Sequence, residues 1–509
     1  MSIRQFLTMT LVCSWFCFIT LGCGQRQDDS DGLVHNVPQD FETIQQAMEA
    51  AEDGDTIVLA AGEYEEIVDF GQKSVTIRGE DPKDPAVVAS TILLGNSQVV
   101  LFAGGEGTLS GVTVRGGSTG SDGAGIHVGS GSSVTIERSV VEGNEAARFG
   151  GGVFLEEGAF VELLDNVFEN NSASSGGAVY LSGETSSAHL EGNTFTGNEA
   201  SDGSVIYARR GAAVVIRDNV VTGNAGRGGL IVLLEESTGE ITNNEINDND
   251  VALGGPIAVR SGSSARIEEN EFIDNVAQGD YTGGAITVEG DSEAFIEKNV
   301  ISGNSATWGG GVVVMSSVVD IAGNTITEND GGVFGGAILV RGESVVSIKG
   351  NAIERNLVTD SGGGIYITSA GNAVVEIRDN EISDNVTGLY HGGGISVFTG
   401  TGLSLTIADN DISGNSAGLT EEHQGRGGGV YLGAGGTRFF GNTMSGNEAY
   451  QWGGGVFVDD DAELRDGEGV ELPRVNSPPG TMPENTFSEN THGDDQFGGA
   501  DVFFRESAR

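Results

Sequence analysis

From Val112 onward, apolar and polar positions alternate in a short phrase that recurs down the chain. It reads "NTFTGNEASDGSVIYA" at Asn193, "NVISGNSATWGGGVVV" at Asn299, and "NEISDNVTGLYHGGGISV" at Asn380. Each copy has an anchor asparagine and a second asparagine five residues later, as in Asn193/Asn198, Asn299/Asn304 and Asn380/Asn385. An apolar residue stands three before the anchor (Leu190, Ile296, Ile377) and another two after it (Phe195, Ile301, Ile382). A polar loop, a glycine cluster and an aliphatic-x-aliphatic triplet such as Ile286-Thr287-Val288 complete the unit. Alternation over so few residues predicts three short strands per repeat, each aiming every second side chain inward. Glycines and β-branched residues at these densities exclude a helical reading.

Successive anchors run from Asn166 to Asn485, mostly 25–30 residues apart, with Ser139/Asn144 as an earlier, degenerate copy. A period of that size predicts a solenoid, in which each repeat buries its apolar face only against its neighbours. Strands stacked ~4.8 Å apart let an asparagine amide donate to, and accept from, the same residue one coil away. Asparagine also tolerates the left-handed backbone of a tight turn, and so is expected to occupy the turns themselves. The glycines are expected where backbone must approach closely.

Upstream, "VPQDFETIQQAMEAAEDGDTIVLAAGEYEE" places Ile44, Ala47, Met48 and Ala51 at helical spacing before Gly54. Strands follow in "TIVLAAGEYEE" and "KSVTIRGE". This segment resembles the N-terminal cap of the pectate-lyase-like superfamily of right-handed parallel β-helices. With the repeats, the resemblance implies an all-β, single-stranded right-handed parallel β-helix of ~16 coils, a rod of roughly 75–80 Å. It also implies asparagine ladders. Some copies further resemble the repeats of chlamydial polymorphic outer membrane proteins, in "GGAI" at Gly283 and Gly335 and in Phe195-x-x-Asn198.

The first residues change the picture of where such a rod resides. "MSIRQFLTMTLVCSWFCFITLGCG" joins a basic start to an apolar run and stops at Gly22-Cys23. It resembles a bacterial lipoprotein signal, although Thr20 departs from the usual leucine. The resemblance implies lipidation of Cys23, export, and an outer-membrane or cell-surface location, with secretion as the alternative. The organisation expected is a signal peptide over 1–22, a polar tether over 23–36, and the cap and first coils over 37–80. Repeats then fill 81–509, with insertions near 418–427 and 459–483. All three cysteines (Cys13, Cys17 and Cys23) lie at or before the expected cleavage site, which leaves no disulfide or cysteine metal site for the fold.

Of 509 residues, 84 are glycine and eight proline, and the clustered glycines exclude collagen. A formal charge of −49 argues against a nucleic-acid partner, because a phosphate backbone would be repelled.

Aromatic residues gather on one side of the expected coil. The middle residue of the aliphatic triplet should face outward, which selects Phe154, Tyr180, Tyr207, Tyr366, Tyr431 and Phe457. The loop just ahead of the glycines adds Tyr281, Trp308, Phe334, Tyr390 and Trp452. Rings in such a row offer flat faces to sugar rings or to a partner surface. They could equally stack on one another as cross-strand ladders.

Binding in lyases of this fold uses the same side, by resemblance, but pectate-lyase chemistry needs carboxylates and a basic residue there. The outward positions carry none. The one cluster that could support metal-independent elimination is His391, His423, Arg426 and Tyr431, in lengthening C-terminal loops. Asp459, Asp460 and Asp461 are weak candidates for calcium. The sequence therefore predicts a non-enzymatic surface protein binding glycan or another cell through its aromatic side, with a polysaccharide lyase acting on an acidic polysaccharide as the alternative.

Overall fold

A computed structural model describes residues 32–369, 371–398, 402–418, 424–471, 484–492 and 502–504. The chain winds into a right-handed parallel β-solenoid in which strands pair in parallel with their counterparts one coil away, with one register shift between Val430–Phe440 and Val456–Arg465. Ile257, Ile286 and Val312, for instance, lie side by side in successive coils. One continuous sheet has 16 strands, and the last twelve, from Val167–Glu169 onward, each follow an anchor asparagine.

Three strands per coil were expected, and a fourth is present. In one coil the strands are Ile286–Glu289, Glu293–Glu297, Val300–Ser302 and the two-residue Ser305–Ala306. The last follows the second asparagine, where two or three residues show no readable alternation. Near the C-terminus the turn between the first two strands is lost, and Val430–Phe440 and Val456–Arg465 run through.

The positions three before and two after each anchor form the core, with Ile296, Ile301, Ile321 and Ile326 fully buried. Phe168 and Phe195 stack within it, with centroids 5.0 Å apart. A helix, α1 (Ile44–Ala50), buries Ile44, Ala47 and Met48 against the first strands. Glu66 accepts from the N–H groups of Ile44 and Gln45 at 2.9 and 3.0 Å, which satisfies donors that a helix start leaves free. Lys73 donates to the carbonyls of Glu49 and Ala51 at the other end. A second helix, α2 (Pro85–Ser90), was not anticipated. Six residues are too few to show a period, although Asp84 caps it and proline opens it.

Both asparagine columns form unbroken ladders. Asn193 Oδ1 accepts from the backbone N–H and the Nδ2 of Asn166, at 2.9 and 3.0 Å. Its own Nδ2 donates to Asn219 Oδ1 at 3.0 Å and to the Leu163 carbonyl at 2.7 Å. The same four bonds recur at the second asparagine, as at Asn198. Every hydrogen-bonding position of a buried amide is thus used. The left-handed residue, however, is the one before each asparagine: Asp165, Asp218, Glu269, Asp379 and Asp409 at the first turn, Asn170, Asp248, Asp274 and Asp384 at the second. The asparagine must keep its side chain inside the coil to reach the next amide. The exposed residue before it makes the bend.

Candidate functional site

The side that carries the aromatic residues is built in two levels. The middle residue of each triplet points away from the main core, as expected, but the pre-glycine loop folds back over it. Tyr180, Tyr207 and Tyr366 retain only 4%, 7% and 7% of their surface, and Tyr431 and Phe457 are also buried. The glycines make this fold possible. A Cβ on Gly176 would lie 2.6 Å from the Cβ of Tyr180, and one on Gly362 would lie 2.7 Å from that of Tyr366. Only a glycine lets the loop turn above the ring of its own strand, which is why aromatic residues flank the glycines.

These rings form two small hydrophobic clusters outside the main core. In the first, Phe154, Tyr180 and Tyr207 stack at 5.4 and 5.7 Å, within 12° of parallel. Phe149 lies on Tyr180 at 4.5 Å. His127 ends this ladder, its Nε2 3.0 Å from Glu156 and its Nδ1 2.9 Å from Gln98. The hydrogen bond from the Ser130 N–H, then that with His127, lowers the Glu156 carboxyl against the opposing effect of burial. Val232, Ala258 and Thr287 then interrupt the column with small or aliphatic side chains, all buried.

In the second cluster Val313, Leu339 and Tyr366 lie beneath the loop rings Tyr281, Trp308 and Phe334. These outer rings are half-buried. They do not stack flat: Trp308 is tilted by 56° to Tyr281 and by 64° to Phe334. Tyr281 has φ +57°, a conformation that a large side chain rarely adopts. Burial, then the nearby Asp360 carboxylate, pushes the Tyr366 hydroxyl up to about 12. Asp360 is itself raised by burial.

Further along, Ser396 occupies the ladder position between Tyr366 and Tyr431. The space above it is filled by Phe398 and by His391, whose ring lies 4.2 Å from Tyr431 and 14° from parallel. Phe457 and Phe503 continue the stack, and Trp452 lies over Phe503. Arg426 stands between His391 and Trp452 in neighbouring coils, with its guanidinium 4.9 Å from the Trp452 ring. Burial, then Arg426, pushes His391 down to about 3, so its imidazole is neutral at ordinary pH. His391 Nδ1, Ser396 Oγ, Gln451 Oε1 and Trp452 Nε1 are buried without a hydrogen-bond partner among the described residues. Tyr390 is 43% exposed at the rim.

The structure thus brings together His391, Arg426 and Tyr431, three of the four residues considered for elimination chemistry. His423 lies outside the described residues, as does Cys23. The Tyr431 hydroxyl donates to Asp459 at 3.0 Å. Asp459, Asp460 and Asp461 are successive residues of one strand, at the bulge where its register with Val430–Phe440 shifts. No three acidic, histidine or cysteine residues converge on a metal position among the described residues.

Sequence reasoning missed Arg341 and Phe398. Arg341 places its guanidinium 3.9 Å from the centroid of the Tyr281 ring. The signal was present in the arginine that closes the triplets "IAVR" and "ILVR", at Arg260 and Arg341.

No curated protein matches the sequence. Among solved structures, a mannuronic acid specific family 6 polysaccharide lyase from human gut microbiota is 12% identical with a TM-score of 0.39, covering 75% of this chain and 86% of its own. The periplasmic alginate epimerase AlgG is 14% identical with a TM-score of 0.30, covering 76% of each chain. The A-module of the Azotobacter vinelandii mannuronan C-5 epimerase AlgE6 is 15% identical with a TM-score of 0.26, covering 89% of this chain and 93% of its own. Likenesses this low assign no residue or activity to the present chain. The family model described as right handed beta helix region matches residues 50–195, 173–326, 280–447 and 336–505. With nearly the whole repeat region matched, the chain belongs to the right-handed β-helix family.

Proposed function

We propose that this chain is an exported, non-enzymatic protein of the bacterial surface, held by lipid at Cys23, that binds carbohydrate through its aromatic side. One observation carries the reading. The half-exposed rings of Tyr281, Trp308 and Phe334 rest on a buried second cluster, so they are fixed before any ligand arrives. Rings held this way present flat apolar surface at little ordering cost, which suits the faces of sugar rings. Phe149, Phe154, Tyr390, Phe398 and Trp452 extend the same side toward both ends.

Binding to an array of neutral and acidic glycans tests the reading. Trp308→Ala and Phe334→Ala should each weaken binding to the best glycan by at least about tenfold, the scale of an interface anchor. An unmodified chain that binds nothing on the array would sink the proposal. Fractionation of the producing cell tests the anchor: Cys23→Ala should release the chain from membranes.

A second reading is favoured by the cluster of unpartnered polar atoms around His391. A neutral imidazole beside the Tyr431 hydroxyl and Arg426 has the parts of a base and a charge neutraliser for β-elimination. Incubation with acidic polysaccharides should give no rise in ultraviolet absorbance from unsaturated uronate ends. A steady rise that His391→Ala abolishes would replace the binding reading with catalysis.

A further inference from the structure

The chain is strongly acidic, and most of its arginines are engaged. Arg209 and Arg260 close two triplets, and each faces a glutamate from the next coil: Glu235 at 3.3 Å and Glu289 at 2.7 Å. Arg341 occupies the same column but has Met315 on one side and Thr368 on the other. Among the described residues it makes no ion pair. Its guanidinium lies instead over the Tyr281 ring. A guanidinium on a ring face keeps the N–H groups at its edge free, in the planar fork that matches a carboxylate.

Two further features mark this place. The Tyr281 coil is enlarged, with 29 residues between Asn270 and Asn299 against 26 and 25 on either side. The added loop carries Tyr281 across to Arg341 in a left-handed backbone that costs a tyrosine about 1–2 kcal/mol. Trp308 and Phe334 stand tilted beside the pair, whereas the rings of the first cluster lie parallel.

We propose that Arg341, with Tyr281, Trp308 and Phe334, forms a subsite for an anionic sugar unit, a ring bearing a carboxylate or a sulfate. The inference rests on the carbohydrate-binding reading above and names the ligand class at its central patch. The rings take the apolar face of the sugar. Arg341 takes the charge, and does so on a rod whose net charge of −49 otherwise repels anions.

Titration of the full chain with three oligosaccharides of equal length, one carboxylated, one sulfated and one neutral, separates the possibilities. One anionic ligand should bind about tenfold more tightly than the neutral one, the worth of a charge-assisted contact. Arg341→Met, which keeps an unbranched apolar stem beside Met315, should abolish that preference, so that the anionic ligands bind no more tightly than the neutral one. Arg341→Lys should restore only part of it, because an ammonium has no planar fork. The better of the two anionic ligands identifies the source of the charge. An anionic preference that survives in Arg341→Met, or equal binding of all three by the unmodified chain, would overturn the subsite and leave carbohydrate binding standing. Failure to bind any of the three would overturn both.

Discussion

Two sides of this solenoid are built by stacking like on like, and they do so differently. At the turns, asparagine follows asparagine from Asn166 to Asn485 without a break, and each amide makes the same bonds as the last. On the aromatic side the column changes along its length: histidine, phenylalanine and tyrosine, then valine, alanine and threonine, then tyrosine again. The turn residues have no freedom because each accepts from the asparagine one coil before it and donates to the one after. The ring positions need only fill space under a loop, so they can vary, and variation is where ring tilt and an arginine without an ion pair collect. In a repeat protein, what every coil keeps explains the fold, and what one coil alters is a candidate for function.

The largest way to break the comparison is at the uniform side. Asn299→Ala would take the acceptor from the Asn270 N–H and the side-chain donor from the Ile267 carbonyl, and would remove one of the three acceptors of the Asn270 Nδ2. Buried groups stranded in this way cost about 1–3 kcal/mol each, so the change should destabilise the rod locally by about 2 kcal/mol or more. Hydrogen exchange reads it directly: the amides of Asn270 and its neighbours should lose protection while coils near Asn166 keep theirs. Unchanged protection at Asn270 would mean that the ladder contributes little.

That contrast also explains what could be read from the residues alone. The asparagine spacing is a local pattern repeated a dozen times, so the coils and the ladder were legible. The left-handed residue before each asparagine was not, because its identity varies from Asp165 to Gly192 to Lys298 and only the geometry of the ladder decides which residue bends. The ring-bearing side was legible as a list of residues: Tyr180, Tyr207 and Tyr366 were placed on the outer face of their strands. Their burial was not, since it depends on a loop folding over its own strand, and a spacing pattern does not say which way a loop returns. Arg341 escaped notice for a similar reason, because its stack on Tyr281 joins positions two coils apart.

A smaller effect is expected where the ladder is interrupted at Ser396. His391 fills the gap as a neutral ring among Tyr431, Phe398, Arg426 and Asp459, and its folded pKa lies far below that of an unfolded histidine. An unfolded chain therefore binds a proton there that the folded chain refuses. Stability should fall as pH drops below the usual histidine range, and continue to fall toward pH 3. His391→Phe keeps a flat ring in the gap and removes the titration, so it should flatten the acid limb of thermal stability between those limits. An acid limb identical to that of the unmodified chain would show that the imidazole takes up its proton without disturbing the stack.

The smallest change in stability should come from Tyr281, a tyrosine held in a left-handed backbone. Tyr281→Gly removes a left-handed tyrosine, which relieves about 1–2 kcal/mol, and at the same time frees the unfolded chain and removes a half-buried ring. These terms oppose one another, and the net effect on unfolding should stay within about 1 kcal/mol. Glycan affinity should not share that tolerance, because the variant loses both the sugar-facing ring and the surface that holds the Arg341 guanidinium flat. The expected outcome is a chain about as stable as before and weaker in binding, most of all for the anionic ligand. A clear gain in stability with affinity intact would make the strain an accident of the enlarged loop. A clear loss of stability would make Tyr281 a packing residue like Tyr180, and the two clusters would then differ in geometry alone.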